Sequence, residues 1–332
     1  MAVPSSLTQL KWWKTFCSPD RFSYAQMPDL TGKIAIVTGA NTGLGYATTV
    51  ALAGCGARVF LACRNKQKAM DAIENAKKDI QEKYPQLIGE PKLEFLELDL
   101  NSLAKSRDAA KSFLAKNLPL HILVCNSGIM MTPFELSADG IETQFAVNHM
   151  GHFVFTTELL PKIKESQPSR IVVLTSMAHE STVSGGIDFD TLNDATKSNP
   201  ISRYGRSKLA NVLFARALAH RVAKEKVYVN IAHPGYASTE LIRHSKDMGG
   251  AVYGKIMECV TRTVAMDPER SALTQLYLAS SPEIEEQNIR GRYFIPIANE
   301  IEPSAYARDE ELQEKLWIFS EKLYKEKLGS AV

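Results

Sequence analysis

From Lys33 onward, short runs of β-branched and other apolar residues alternate with longer stretches whose apolar positions recur at helical spacing. The short runs predict strands at Lys33–Thr38, Arg58–Cys63, Leu93–Leu98, Ile122–Cys125, Arg170–Thr175, Tyr228–Ala232 and Arg292–Ile295. Helical patterns fall between them, near 44–54, 66–83, 102–116, 138–165, 201–224 and 268–279, and a more polar one near 309–326 closes the chain. Strands that are apolar almost throughout suit a sheet covered on both faces. The pattern therefore predicts an α/β fold, a doubly wound parallel sheet of about seven strands with helices on both faces. No internal repeat, low-complexity linker or break in composition interrupts it, so residues 30–332 read as one domain behind an N-terminal extension of residues 1–29.

The first strand runs into Thr38-Gly39-Ala40-Asn41-Thr42-Gly43-Leu44-Gly45, glycines spaced Gly-x-x-x-Gly-x-Gly. Glycine lets backbone approach a pyrophosphate closely, and the helix that follows offers unpaired N–H groups to an anion. A glycine-rich turn by itself is often only steric; between a strand and a helix at the head of an α/β pattern it marks a dinucleotide site. About 20 residues on, such folds place the group that reads the ribose. Arg64 stands there, with Lys66 and Lys68 nearby. A guanidinium suits a 2′-phosphate, so the expected cofactor is NADP(H); the plain alternative is a solvated surface arginine. Asp99, closing the third strand, either accepts from an adenine amino group or caps the next helix.

Of eleven tyrosines, Tyr204 is the one followed by Lys four residues later, at Lys208. At i and i+4 the two share a helix face, and an ammonium there favours the phenolate, giving a tyrosine able to exchange protons near neutral pH. The alternative is a chance pair on an amphipathic helix. Ser176 ends the fifth strand without a Gly-x-Ser-x-Gly elbow, which disfavours a nucleophilic hydrolase; strand-end serines are also common in turns. Asn148 lies within an apolar helical stretch, a costly place unless hydrogen-bonded. His149 and His152, at i and i+3, lack the following Glu and a third ligand, so no metal site is expected.

Together with Asn126-Ser127-Gly128 at the end of the fourth strand, these motifs resemble the classical short-chain dehydrogenase/reductase family over roughly residues 30–300. The resemblance implies a Rossmann-like fold. It also implies NADP(H) contacts from Gly39, Thr42, Gly43, Leu44, Gly45, Arg64, Asp99, Leu100, Asn126, Gly128, Tyr204, Lys208, Pro234 and Thr239. The catalytic set carried over is Ser176 to hold the substrate oxygen, Tyr204 as acid/base, Lys208 to lower its pKa and bind ribose, and Asn148 to hold a water in the proton relay. Where the family has Asn-Asn-Ala-Gly this chain has Cys125-Asn126-Ser127-Gly128, both changes being small. The longer link between Ser176 and Tyr204, with Gly185–Asp190, the stretch Asn148–Phe153 and His233-Pro234-Gly235, is similar to the retinol-dehydrogenase and WW-domain-oxidoreductase branch. Adjacent Trp12-Trp13 is no WW domain. The implied activity interconverts a carbonyl and an alcohol on a fairly apolar small molecule. A non-catalytic NADP(H)-binding sensor and a membrane-surface retinoid- or sterol-type dehydrogenase stand as alternatives.

Composition narrows this further. A hydrophobic fraction of 45%, a charged fraction of 23% and a net charge of +2 with interspersed signs suit a globular enzyme and give no footing to nucleic-acid binding. Five scattered cysteines without Cys-x-x-Cys, and no glycosylation sequon, point to a reducing, cytoplasmic setting. No apolar run is long enough to span a bilayer, although Leu7, Leu10, Trp12, Trp13 and Phe16 beside Lys11 and Lys14 leave peripheral membrane contact through residues 1–28 open. The other reading of those residues is an extension folded back on the domain. From Leu241 to Asp267 an apolar segment containing Gly249-Gly250 reads equally as a substrate lid or a permanently packed helix. The C-terminal helix, a dimer face in many family members, leaves a homo-oligomer open.

Overall fold

The structure, a computed structural model, describes residues 18–235 and 266–329. Its centre is an eight-stranded sheet in the order β3-β2-β1-β4-β5-β6-β7-β8. The strands are β1 Ile34–Thr38, β2 Arg58–Cys63, β3 Leu93–Glu97, β4 Ile122–Cys125, β5 Ser169–Leu174, β6 Val227–Ala232, β7 Tyr293–Ile295 and β8 Asn299–Ile301. All neighbours pair in parallel except β7 and β8. The order reverses between β1 and β4, the switch point at which open α/β sheets form a binding crevice beyond the strands' carboxyl ends.

Successive strand residues point to opposite faces, so both faces must find apolar cover. One face (Ile36, Phe60, Leu123, Val173) packs on α3 Leu103–Leu114, α4 Gly151–Glu165, α5 Pro200–Arg221 and the C-terminal α9 Glu310–Leu328. The other (Val37, Val59, Leu61, Val124) packs on α1 Gly43–Gly54, α2 Lys66–Lys83 and α6 Pro268–Ser280. This two-sided burial is why the central strands β1, β2 and β4 read as nearly unbroken apolar runs. The short helices α7 Glu283–Glu286 and α8 Ala305–Arg308 follow α6 and β8 in the chain.

Two expectations are corrected, and a third gains detail. An eighth strand, β8, pairs antiparallel with β7 through Ile295↔Asn299 and Tyr293↔Ile301; Asn-Glu-Ile carries too little β pattern to announce itself. The helix expected over 138–165 begins at Thr143. Before it, Gly140 turns the chain at φ +72° and Glu142 caps, its carboxylate accepting from the N–H groups of Gln144 and Phe145. Residues Ala146–Met150 then form a π-turn, Gly151 N–H bonding Ala146 O, before α4 proper. The polar closing helix, lastly, buries Leu312, Leu316, Trp317 and Tyr324, with Trp317 stacked on Phe214 of α5. Such burial is worth about 1.5–3 kcal/mol for a large apolar side chain.

Residues 19–30 lie on the α6 and β7–β8 side: Phe22 is buried, Arg21 N–H bonds Ile297 O and Tyr24 donates to Glu269 O. Trp12, Trp13 and their apolar neighbours fall outside the described residues, as do Thr239 and most of the Leu241–Asp267 segment. No helix among the described residues is long and apolar enough to cross a membrane.

Candidate active site

The glycine turn is built against the ends of β1 and β4. Gly39, at φ +65°, has Ser127 against it: a Cβ there would lie 3.1 Å from the serine. At Gly45 a Cβ would come within 2.6 Å of Asn126 Nδ2, so Gly45 lets the first turn of α1 sit directly on the loop. Thr42 precedes α1 with extended backbone and makes no side-chain cap, and the first turn holds no acid. Its N–H groups and the positive end of the helix dipole are thus left for an anion. Leu44 is buried beneath. The donor set fits the pyrophosphate of a dinucleotide.

Arg64 follows β2 and is exposed. Lys66 and Lys68 occupy the first turn of α2, which Asn65 caps through Lys68 N–H and which contains no acidic residue. Cations at a helix N-terminus oppose the macrodipole, so three within residues 64–68 concentrate positive charge there at a cost to the helix. Asp99 accepts from Asn101 N–H at 3.1 Å and has Lys105 at 3.8 Å. It does not cap α3, contrary to one expectation; Ser102 does, because its hydroxyl is the one within reach of Lys105 N–H. Leu100 is buried with its carbonyl pressed on Gly151, where a Cβ would sit 2.5 Å away.

Tyr204 and Lys208 lie on α5, Nζ 5.6 Å from the phenol ring centroid. Lys208 is buried, and desolvation pulls its ammonium down to about 8. Its carbonyl is held by the Thr175 hydroxyl at 2.7 Å. A Cβ on Gly128 would lie 3.2 Å from both Lys208 Nζ and Asn148 Oδ1, so the three residues converge. The Asn148 side chain is taken up by protein: Oδ1 accepts from Ile129 N–H, and Nδ2 donates to Ile129 O and Ser207 Oγ, all within 2.9 Å. Its amide is therefore a brace between the β4 loop and α5, which supplies the hydrogen bonds that a polar side chain in an apolar helical stretch requires. Ser176 opens a 3₁₀ turn, Met177–Glu180, its hydroxyl accepting from Ala178 N–H. At Gly205, next to Tyr204, a Cβ would lie 2.6 Å from Ala178 O. Only glycine there allows the serine turn to close on α5.

Pro234 and the positive-φ Gly235 follow β6, partly buried. Asn126 bonds Thr38 from both its backbone N–H, to Oγ1, and its Nδ2, to the carbonyl.

Sequence reasoning missed three supports. His179 donates from Nδ1 to Ser176 O at 2.8 Å, while its Nε2 accepts from Ser304 N–H. Glu142, fully buried, faces Arg203 at 3.5 Å and Arg206 at 3.8 Å on α5. Burial pushes that carboxyl up and pulls both guanidinium groups down. Arg203 in turn bonds Ser198 O and Thr132 O, tying two loops to the helix at Tyr204. Two arginines on a helix face otherwise apolar were the available signal. His149 and His152 bond in different directions, His149 to Ser320 of α9 and His152 to Thr38 of β1, so they share no ligand.

A family model described as short chain dehydrogenase matches residues 33–190. Retinol dehydrogenase 13 of Mus musculus is 41% identical over 298 residues, covering 89% of this chain and 84% of that one. The WW domain-containing oxidoreductase of Pongo abelii is 37% identical over 308 residues, 91% of this chain and 70% of its own. A solved, uncharacterized protein from Mycobacterium paratuberculosis superposes with a TM-score of 0.71 at 28% identity, over 92% of this chain and 97% of that one. With the Rossmann-like sheet and the site above, these matches establish that the chain is an oxidoreductase of the short-chain dehydrogenase/reductase family, in the branch of the retinol dehydrogenases and WW domain-containing oxidoreductases.

Proposed function

We propose that the protein is an NADP(H)-dependent dehydrogenase or reductase that interconverts a carbonyl and an alcohol on a fairly apolar small molecule. The observation that carries this reading is the meeting of two halves at the β1/β4 crevice. Uncapped α1 and the Gly45 contact make an anion cradle, and beside it Lys208, Asn148 and Gly128 converge under Tyr204. The bound nicotinamide would supply or accept hydride. In the reducing direction Ser176 donates a hydrogen bond to the carbonyl oxygen and Tyr204 delivers the proton. Lys208, as an ammonium, favours the phenolate that remains and binds ribose. Asn148 holds Ser207 and the β4 loop in place, so that Lys208 keeps its position.

Arg64, with Lys66 and Lys68, favours a 2′-phosphate over a bare ribose. The relatives named retinol dehydrogenases favour a long apolar alcohol or aldehyde, and all-trans-retinal is the first probe. Residues 30–332 are read as one domain working in the cytoplasm.

The test is a screen of NADPH oxidation against aldehydes and ketones of graded length, run with Tyr204→Phe in parallel. Turnover in that variant should fall by about 10²–10⁴. A variant that turns over at the wild-type rate sinks the assignment. NADPH binding with no turnover on any carbonyl or alcohol would point instead to a cofactor-occupied sensor.

A further inference from the structure

His152, buried on the first turn of α4, makes two hydrogen bonds whose polarity is fixed by chemistry. Its Nδ1 lies 3.1 Å from the carbonyl oxygen of Asn148, which can only accept, so Nδ1 carries the proton. Its Nε2 lies 2.9 Å from the Thr38 hydroxyl. That hydroxyl already receives the N–H groups of Asn126 and Ser127, each at 2.9 Å, and so must spend its own hydrogen on Nε2. Every hydrogen in the network is then assigned, and the ring is neutral. Burial supports the neutral form, holding the imidazole down near 4, with the Lys208 charge acting the same way.

Each end of the ring touches a different half of the site. Thr38 is the last residue of β1, directly under Gly39, and its hydroxyl and carbonyl together hold the end of β4. Asn148 sits in the π-turn, where backbone carbonyls leave the regular i→i−4 ladder. Its side chain reaches Ser207, next to Lys208, and converges with Lys208 at Gly128. We infer that His152 is a positioning residue: one neutral ring sets the Thr38 hydroxyl under the dinucleotide turn and the Asn148 carbonyl on the proton-handling side, keeping the two in register. The inference rests on the function proposed above and adds to it a group that touches neither cofactor nor substrate.

Three substitutions separate the two ends. In His152→Gln the amide reaches the Nε2 position and its oxygen accepts from Thr38; in His152→Asn the amide nitrogen replaces Nδ1–H toward Asn148 O; His152→Phe keeps the bulk and makes neither bond. The Kd for NADPH is measured by calorimetry without substrate, and kcat at saturating cofactor with the best carbonyl from the screen. One lost hydrogen bond of about 1 kcal/mol corresponds to about a fivefold effect. His152→Gln should hold Kd within about twofold while kcat falls about fivefold or more. His152→Asn should do the reverse, and His152→Phe should lose both. If Gln and Asn fall together in step with melting temperature, or none of the three departs from wild type, the inference is wrong. The Gln/Asn contrast decides even if the Phe variant does not fold. The Kd arm does not depend on turnover, so full turnover in Tyr204→Phe would overturn the functional reading while leaving the Thr38 end of His152 under test.

Discussion

Replacing Lys208 by Met should make the protein more stable and inactive. Lys208 is enclosed by the core of α5 and by the turn at Gly128, and its ammonium is held at about 8 against an ordinary 10.5. At about 1.4 kcal/mol for each tenfold change in the protonation equilibrium, that gap is a cost of about 3 kcal/mol at pH 7. Approach to the Tyr204 ring, 5.6 Å to the centroid, returns about 0.5–1 kcal/mol. Met keeps the length and apolar stem without the charge, so the net gain is about 2–3 kcal/mol, or about 3–4 °C in Tm for a chain this long. The sign fixes the pH dependence. Because the folded pKa lies below the unfolded one, the unfolded chain binds more protons between pH 8 and 10.5, and the cost falls as pH rises through that window. Urea denaturation of both proteins without cofactor, at pH 7 and pH 10, measures it. The Met variant should lead by about 2–3 kcal/mol at pH 7 and by under about 1 kcal/mol at pH 10. A Met variant less stable at pH 7, or an advantage unchanged with pH, would refute the claim that a buried charge is retained there against stability.

Other consequences are open to measurement. His149, His152 and His233 are all held down by burial, to about 3, about 4 and about 3. Their unfolded forms bind protons first as pH falls below about 6.5, so stability should drop by about 3–4 kcal/mol between pH 7 and 5.5; denaturation midpoints that stay level over this range would contradict it. Gly205→Ala must push Ala178 and Ser181 away from α5. We expect a loss of about 1–3 kcal/mol and at least a tenfold fall in kcat with cofactor Kd nearly unchanged, whereas wild-type kcat would mean the serine turn is not positioned by that contact. Arg64→Asp should reverse the cofactor preference, weakening NADPH about tenfold or more as one charged hydrogen-bonding group is lost; equal Kd values for NADPH before and after would remove Arg64 from the cofactor site.

The layout of the fold was already legible in the order of residues. Burial on both faces leaves a nearly continuous apolar run in the central strands, and edge strand β3 still alternates Leu-Glu-Phe, so β1 to β7 showed themselves, while Asn299–Ile301, three residues paired by a hairpin, did not. The closing helix, expected near 309–326 from its helical spacing, runs Glu310–Leu328. Short-range spacing also exposed Tyr204 with Lys208 and the Gly39–Gly45 turn, because a helix turn or a loop places i and i+4 without help from distant chain. What lies far apart in sequence needed the packed molecule: Glu142 against Arg203 and Arg206, His179 against Ser304, and His152 against Thr38. Each of those meetings joins a buried polar side chain to a group carried by a different element, and no spacing rule encodes it. Tertiary structure also decided what the Asn148 amide braces, since the packing of the β4 loop and α5 sets which hydrogen-bonding groups its side chain meets.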